Sequence, residues 1–402
     1  MSKIFLGFPR ENGEFGIRNW VLILPANREV NLVADKISQA VNGTKVVLTT
    51  GEGGRPKKDR ETIARTLIGL ALNPNTAAVL IIGLKKDAGY PELREEVLAE
   101  EIRKSGKPVR VINVHEEKGV YATIGEGIRI ARELVAEASE ARRVEVGLQY
   151  LGLGVKCGMS DPTSGIVGNP VIGRVLDILV GAGGTSFFSE TTELIGAEHS
   201  VAQRAINPEV AKKILDAVDR TEKQAIATGE DIRSINPIPA NIAAGITTLE
   251  EKSIGAIAKS GSMPIQDVLA YAQRPHGKGL YFIDAWMSSL SLPLGFSAAG
   301  AQLSIYQIGG GDLPEAYPTV PAVSSPIISP LMYITGNHNT YTKAIDSIDF
   351  DSSDVLTGKK SLDEAAELLL DKILAISSGS WAKMESWNHR DPIEILLDGP
   401  CL

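Results

Sequence analysis

From Trp20 onward, short apolar runs alternate with longer stretches in which apolar residues recur every three to four positions. Read by period, residues 20–25, 45–49, 77–83 and 108–114 are strands, and 29–41, 59–72, 91–105 and 120–138 are helices. Runs such as VLIIG and VRVINV are apolar at every position, as strands are when helices cover both faces of a parallel sheet. The pattern predicts a doubly wound α/β domain over residues 1–143, closing in the charged segment 140–143.

Residues 144–402 read as a larger, less regular α/β domain. A buried strand over 144–153 delivers a loop, 154–161; Asn169 and Pro170 then look like N-cap and first position of a helix over 171–180. Gly181, Gly183 and Gly184 stop that helix and lead into a strand, 185–189, with Glu190 at its end. Further on come a helix over 207–227, a proline and glycine loop over 236–245, and a helix start at Thr248. Strands over 279–284, 303–308 and 331–335 and a last helix over 361–376 complete the pattern, and the segment 309–329 reads as a lid or mobile loop.

Composition narrows the function. The 402 residues, 43% hydrophobic and 22% charged, are those of a globular protein with sizeable cores, and a net charge of -8 argues against nucleic acid as a partner. No apolar run reads as a bilayer span and residues 1–10 carry no signal-peptide pattern, so no membrane role is expected. Two cysteines, one penultimate, cannot make a disulfide framework, which fits a reducing cytoplasm.

Reactive side chains crowd into 156–199, where Cys157, Ser160, Asp161, Glu190, Glu193 and His199 follow predicted strand ends. Ligands of open α/β sheets bind at the carboxyl ends of strands, so these groups are expected to converge. Each also has a plainer reading: Cys157 as buried filler, Ser160 and Asp161 as turn residues, Glu193 as a surface carboxylate, and His199 as a hydrogen-bonded structural histidine.

The segments TSGIVGNPVIG, GGTSFFSETTELIGAEH, NPIPANIAAGITTLEEKS, GLYFID with AAGAQ, and TGN, with the opening GFPRENGEFGIRN, resemble the large catalytic region of the altronate and galactarate dehydratase family. That family includes the large subunit of sulfolactate sulfo-lyase, and the resemblance runs in order over nearly the whole chain. It implies β-elimination from a hydroxy or sugar acid through an enolate-like intermediate, with a divalent metal, iron first, as cofactor. The chain departs from the family by carrying Ala26-Asn27-Arg28 and Leu84-Lys85-Lys86 where relatives have cysteines, and Gly309-Gly310-Gly311 where they have an arginine. Those losses weigh against a full thiolate site.

On that resemblance Cys157, Glu190 and His199 are the expected metal ligands, and Lys252, Asp284, His199 and Glu193 the expected catalytic groups. Arg18 and Asn19 are expected to clamp a carboxylate, with Ser160, Asp161, Asn241 and Gly310 completing substrate binding. A carbon-sulfur lyase large subunit and a binding protein that kept only the fold stand as alternatives. The expected partners are a small carboxylate substrate and a separately encoded small subunit, and base rates favour a homo-oligomer.

Overall fold

The computed structural model describes residues 3–49, 53–310, 327–386 and 393–399. Most of the segment expected to act as a lid, and Cys401, lie outside them. The architecture is α/β, as the alternation predicts. Trp20–Pro25 pairs in parallel with Thr44–Val46 on one side and Thr76–Gly83 on the other, and Val109–Asn113 adds beyond. Helices Asn31–Ala40 and Val120–Ser139 pack on one face, and Lys57–Leu72 and Glu95–Arg103 on the other. This covering explains why the strands carry no polar alternation.

The second unit is built on a seven-stranded, wholly parallel sheet. Its spatial order is Ile265–Ala270, Gly279–Asp284, Thr185–Phe188, Gly152–Gly158, Leu303–Ile308, Leu331–Thr335, Phe350–Asp351. It is more regular than the sequence implied, because Ile265–Ala270 and Phe350–Asp351 were hidden in polar stretches. The stretch 144–153 is not one strand. Val144–Gly147 pairs antiparallel with Ile4–Pro9 in a separate small sheet, and a tight turn at Leu148–Tyr150 precedes Gly152–Gly158. Cys157 therefore sits in a strand near its carboxyl end rather than in a loop.

Asn169 is not a helix cap either. A wide turn, Ser164–Gly168, runs without a break into the helix Asn169–Gly181, leaving Asn169 inside a continuous helical segment. By length and composition that segment, Ser164–Gly181, could cross a membrane, although no apolar run of that length is expected from the sequence. Its residues Val171, Ile172, Val175, Leu176 and Leu179 pack instead into the main core beneath the sheet.

Candidate active site

The parallel sheet carries its chemistry where the fold predicts, at the strand ends. Thr185–Phe188 leads to Glu190, whose backbone is left-handed at φ 78°. Met159, just past Gly152–Gly158, is also left-handed at φ 50°. Non-glycine residues enter that region at a cost, so two of them flanking one spot mark a place where geometry is held against local preference. Between them, Gly158 is needed for space: a Cβ there would lie 2.2 Å from Tyr306 Oη. The Tyr306 ring stands 4.2 Å from Lys156 Nζ.

Glu190, Glu193, Lys156, Lys252 and Lys259 form a buried chain of alternating charge. Lys252 Nζ lies 3.6 Å from Glu193 Oε1, Glu193 Oε2 lies 3.4 Å from Lys259 Nζ, Lys259 Nζ lies 2.7 Å from Glu190 Oε2, and Glu190 Oε1 lies 3.3 Å from Lys156 Nζ. The Cys157 backbone N–H also donates to Glu190 Oε2 at 3.1 Å. Lys252 closes the outer end, donating to Asn236 Oδ1 at 2.8 Å and Asn241 Oδ1 at 3.2 Å. It also lines a cavity of about 390 Å³ with Ser160, Asp161, Ser164, Asn169 and Gly255. The chain thus runs from the cavity inward.

The two carboxylates are pushed apart. Burial alone would raise the Glu190 carboxyl, but Lys259 and Lys156 outweigh it and hold it below the usual range. Glu193, raised by burial and then by the charge of Glu190, stands above that range despite Lys259 and Lys252. For Lys156 and Lys259, burial is overcome by neighbouring groups, chiefly Tyr306 and Glu190 for the first and Glu190 and Glu193 for the second, and both are raised. The Cys157 thiol is pushed up to about 11 by burial and by Glu193, so it stays protonated at neutral pH. It contacts Ser160 Oγ at 3.1 Å and Gln307 Oε1 at 3.1 Å, and the Asn169 amide reaches it at 3.5 Å.

Of the residues singled out by sequence, Cys157, Ser160, Asp161, Glu190, Glu193, Asn241, Lys252 and Gly310 come together here. Asn241 bridges them, donating from Nδ2 to the Ser160 carbonyl at 2.9 Å. Asp161 ties three loops through Ser164 N, Gly310 N and Asn337 Nδ2. It is a brace for the cavity wall.

Four expected residues do not join them. His199 is on the surface with its side chain 81% exposed, and its partner is Glu198; the short helix Glu198–Ala202 presents it to solvent. Asp284 pairs with Arg220 and accepts from Thr191 Oγ1, lining a separate cavity of about 250 Å³ against the helix Lys57–Leu72. Arg18 has no donor left for a substrate. Its Nε and Nη2 clamp Glu385 at 2.7 and 2.6 Å, and its other N–H groups go to the carbonyls of Ile17, Ile376 and Ser380. Asn19 joins Arg10 to the Ala138 carbonyl and is equally structural.

The expected metal ligands do not fit a divalent ion. His199 lies on the surface while Cys157 and Glu190 are buried, and both Glu190 oxygens face ammonium groups, Oε2 at 2.7 Å from Lys259 and Oε1 at 3.3 Å from Lys156. Among the described residues no group of three or more histidine, cysteine, aspartate or glutamate side chains is placed to hold a metal. The residues that sequence reasoning missed are Lys156, Lys259, Asn169 and Gln307. Lys156 had left a signal, a lone cation in the otherwise apolar run LGLGVKCG.

Buried carboxylates and ammonium groups strung inward from a cavity at strand ends are an arrangement typical of enzyme sites. Comparison with known proteins agrees. Residues 148–396 match the family profile described as D-galactarate/Altronate dehydratase, C-terminal, and residues 7–139 match the one described as D-galactarate dehydratase/Altronate hydrolase, second domain. The chain is 34% identical to (2R)-sulfolactate sulfo-lyase subunit beta of Chromohalobacter salexigens, over 97% of this chain and 96% of that one. It is 33% identical to the altronate dehydratase of Bacillus subtilis over 77% of this chain and 63% of that one, and 29% identical to the altronate dehydratase of Escherichia coli over 96% and 76%. The chain belongs to the D-galactarate/altronate dehydratase family and is an enzyme of that hydro-lyase type.

Proposed function

We propose that the protein eliminates water from a small hydroxy or sugar acid, with Lys252 moving the proton. The observation that carries this reading is the position of Lys252, which borders the cavity on one side and Glu193 on the other. Glu193, held above the usual carboxylate range, is the carboxylate placed to accept a proton from Lys252. The amine left facing the cavity then takes the proton beside the substrate carboxylate. As the C–H electrons form the new double bond, the C–O bond breaks, and the recharged ammonium protonates the departing hydroxide. The enol product rearranges to a 2-keto acid.

The site also has the charge to hold an anion. Three buried lysines face two buried glutamates, an excess of one positive charge, and a buried cation without a counter-charge is costly. A carboxylate in the cavity restores the balance, and the same positive charge stabilises the enolate as it forms. Asn169 lines the cavity, and its buried Oδ1 has no hydrogen-bond partner, which suits it to accept from a substrate hydroxyl. No step here is routed through a metal, because the side chains present do not fit one. Chemistry on a small carboxylate with a free, buried Cys157 is consistent with a cytoplasmic location.

A second reading rests on the 96% coverage of the sulfo-lyase subunit beta. A carbon-sulfur lyase would use the same base and expel sulfite, and a relative named as a subunit supports a separately encoded partner for this chain. A homo-oligomer is the base-rate expectation. The test is an assay of 2-keto acid and of sulfite from a panel of hydroxy acids and 2-hydroxy-3-sulfonates. Keto acid without sulfite supports the dehydratase, sulfite release supports the second reading, and no product from any substrate removes both.

A further inference from the structure

A further cavity lies at the opposite end of the seven-stranded sheet from the Lys252 cavity. It holds about 260 Å³ and is lined by Glu14, Tyr150, Arg274, His276, Lys278 and Gln302, among others. Gly152, Thr185 and Lys278, which also line it, stand at the amino ends of strands whose carboxyl ends carry Cys157, Glu190 and Asp284. Five residues of strand separate Gly152 from Cys157, about 16 Å. The two cavities are distinct.

The polar groups around this cleft are unbalanced. Arg274 Nη2 pairs with Glu14 at 2.7 Å, but its Nη1 is buried and has no hydrogen-bond partner among the described residues. The Lys278 side chain is exposed to solvent, and among the described residues its Nζ has a ring contact, 5.9 Å from the centre of Tyr150, and no ion pair. Behind the wall, Arg10 is lowered to about 10 by burial, and Lys107 is pushed well down by burial and then by Arg10 and Arg274. Among the described residues, Lys107 donates to the carbonyls of Ala71 and Asn73. Glu14 is the one carboxylate among the described residues lining the cleft. Gln302 is already engaged, accepting from Gly152 N and donating to the Phe15 carbonyl, so the vacant polar capacity is cationic.

We propose that this cleft is a second binding site, for a compact oxyanion bearing two negative charges, held by Arg274 Nη1 and the Lys278 ammonium with His276 alongside. A charge-assisted hydrogen bond to an otherwise orphaned guanidinium N–H is the strongest contact such a wall can offer. The volume suits inorganic phosphate or a short dicarboxylate and is below that of ordinary drug-sized ligands. Because Glu14 and Pro74 come from the amino-terminal part and the rest from the sheet domain, an occupant would tie the two parts together.

The test is calorimetric titration of the whole protein with inorganic phosphate and, separately, with succinate. Wild type should bind at least one of them saturably, and the better of the two identifies the source of the charge. Arg274→Gln with Lys278→Gln should weaken binding by about tenfold or more, while Lys252→Met, altered in the other cavity, should bind as wild type does. Lys278→Gln alone breaks no ion pair and provides the same reading if the double variant fails to fold. No saturable binding up to about 50 mM, unchanged binding in the cleft variants, or loss of binding in Lys252→Met would each overturn the proposal.

Discussion

Lys259 Nζ stands 2.7 Å from Glu190 Oε2, and both side chains are sealed from solvent. A buried pair of this kind gains little over an apolar pair but is costly to break on one side, since the survivor is left as an uncompensated charge. Lys259→Met is therefore expected to cost about 3–5 kcal/mol of stability. Lys259→Met combined with Glu190→Gln should cost less than the two single losses added together. Urea unfolding of the four proteins gives the answer, and strict additivity would mean that the pair is not coupled.

The two glutamates should leave opposite marks on stability as pH changes. Glu190 is lowered, so its contribution is present above the ordinary carboxyl range and is lost as pH falls through its lowered value. Glu193 is raised, so its contribution is present below the unfolded carboxyl value and is lost as pH rises through its raised value. Glu193→Gln should accordingly gain on wild type as pH rises from the ordinary carboxyl range through the raised Glu193 value. Urea midpoints of both proteins across that range check it, and a constant gap between them would refute the raised carboxyl.

Cys157 should be chemically silent in the native protein. Its thiol is buried and pushed up to about 11, so almost none is thiolate at pH 8. Mass spectrometry of the peptide bearing Cys157 after iodoacetamide treatment is expected to show modification only in denaturant. Rapid labelling of the folded protein would contradict that burial.

His199 and Arg18 test the difference between what the sequence marked and what the fold uses. His199→Ala should leave turnover within about twofold, since an exposed side chain away from such features rarely matters. Arg18→Ala should reduce stability by about 3–5 kcal/mol by orphaning the buried Glu385 carboxylate. Its kcat and KM, measured well below the melting temperature, should stay near wild type. A large KM effect without a stability loss would restore the carboxylate clamp.

Much of the scaffold was legible because period reports burial. Trp20–Pro25, Gly279–Asp284, Leu303–Ile308 and Leu331–Thr335 end where the apolar runs end. Polar edge strands such as Ile265–Ala270 carry no such signal. At the site, the strand-end rule placed Cys157 and Glu190 in one neighbourhood, whereas His199 was joined to them by the resemblance of its GAEH segment, and no strand end carries it there. What could not be read was pairing: Arg18 looks like a free clamp until Glu385, far along the chain, is seen to occupy it. Lys259 sits in the stretch AIAKSG, and only the fold aims it at two carboxylates.

The account depends on Lys252 and Glu193 sharing the proton that leaves the substrate. Its most direct test is the pH profile of kcat/KM for keto acid formation, wild type against Glu193→Gln, with substrate proton exchange followed in deuterated water. Wild type should lose activity as pH falls through the raised Glu193 carboxyl. Glu193→Gln should move that acid limb to higher pH while still exchanging the proton slowly, and Lys252→Met should abolish exchange. An unmoved limb, or undiminished exchange in Lys252→Met, would contradict it.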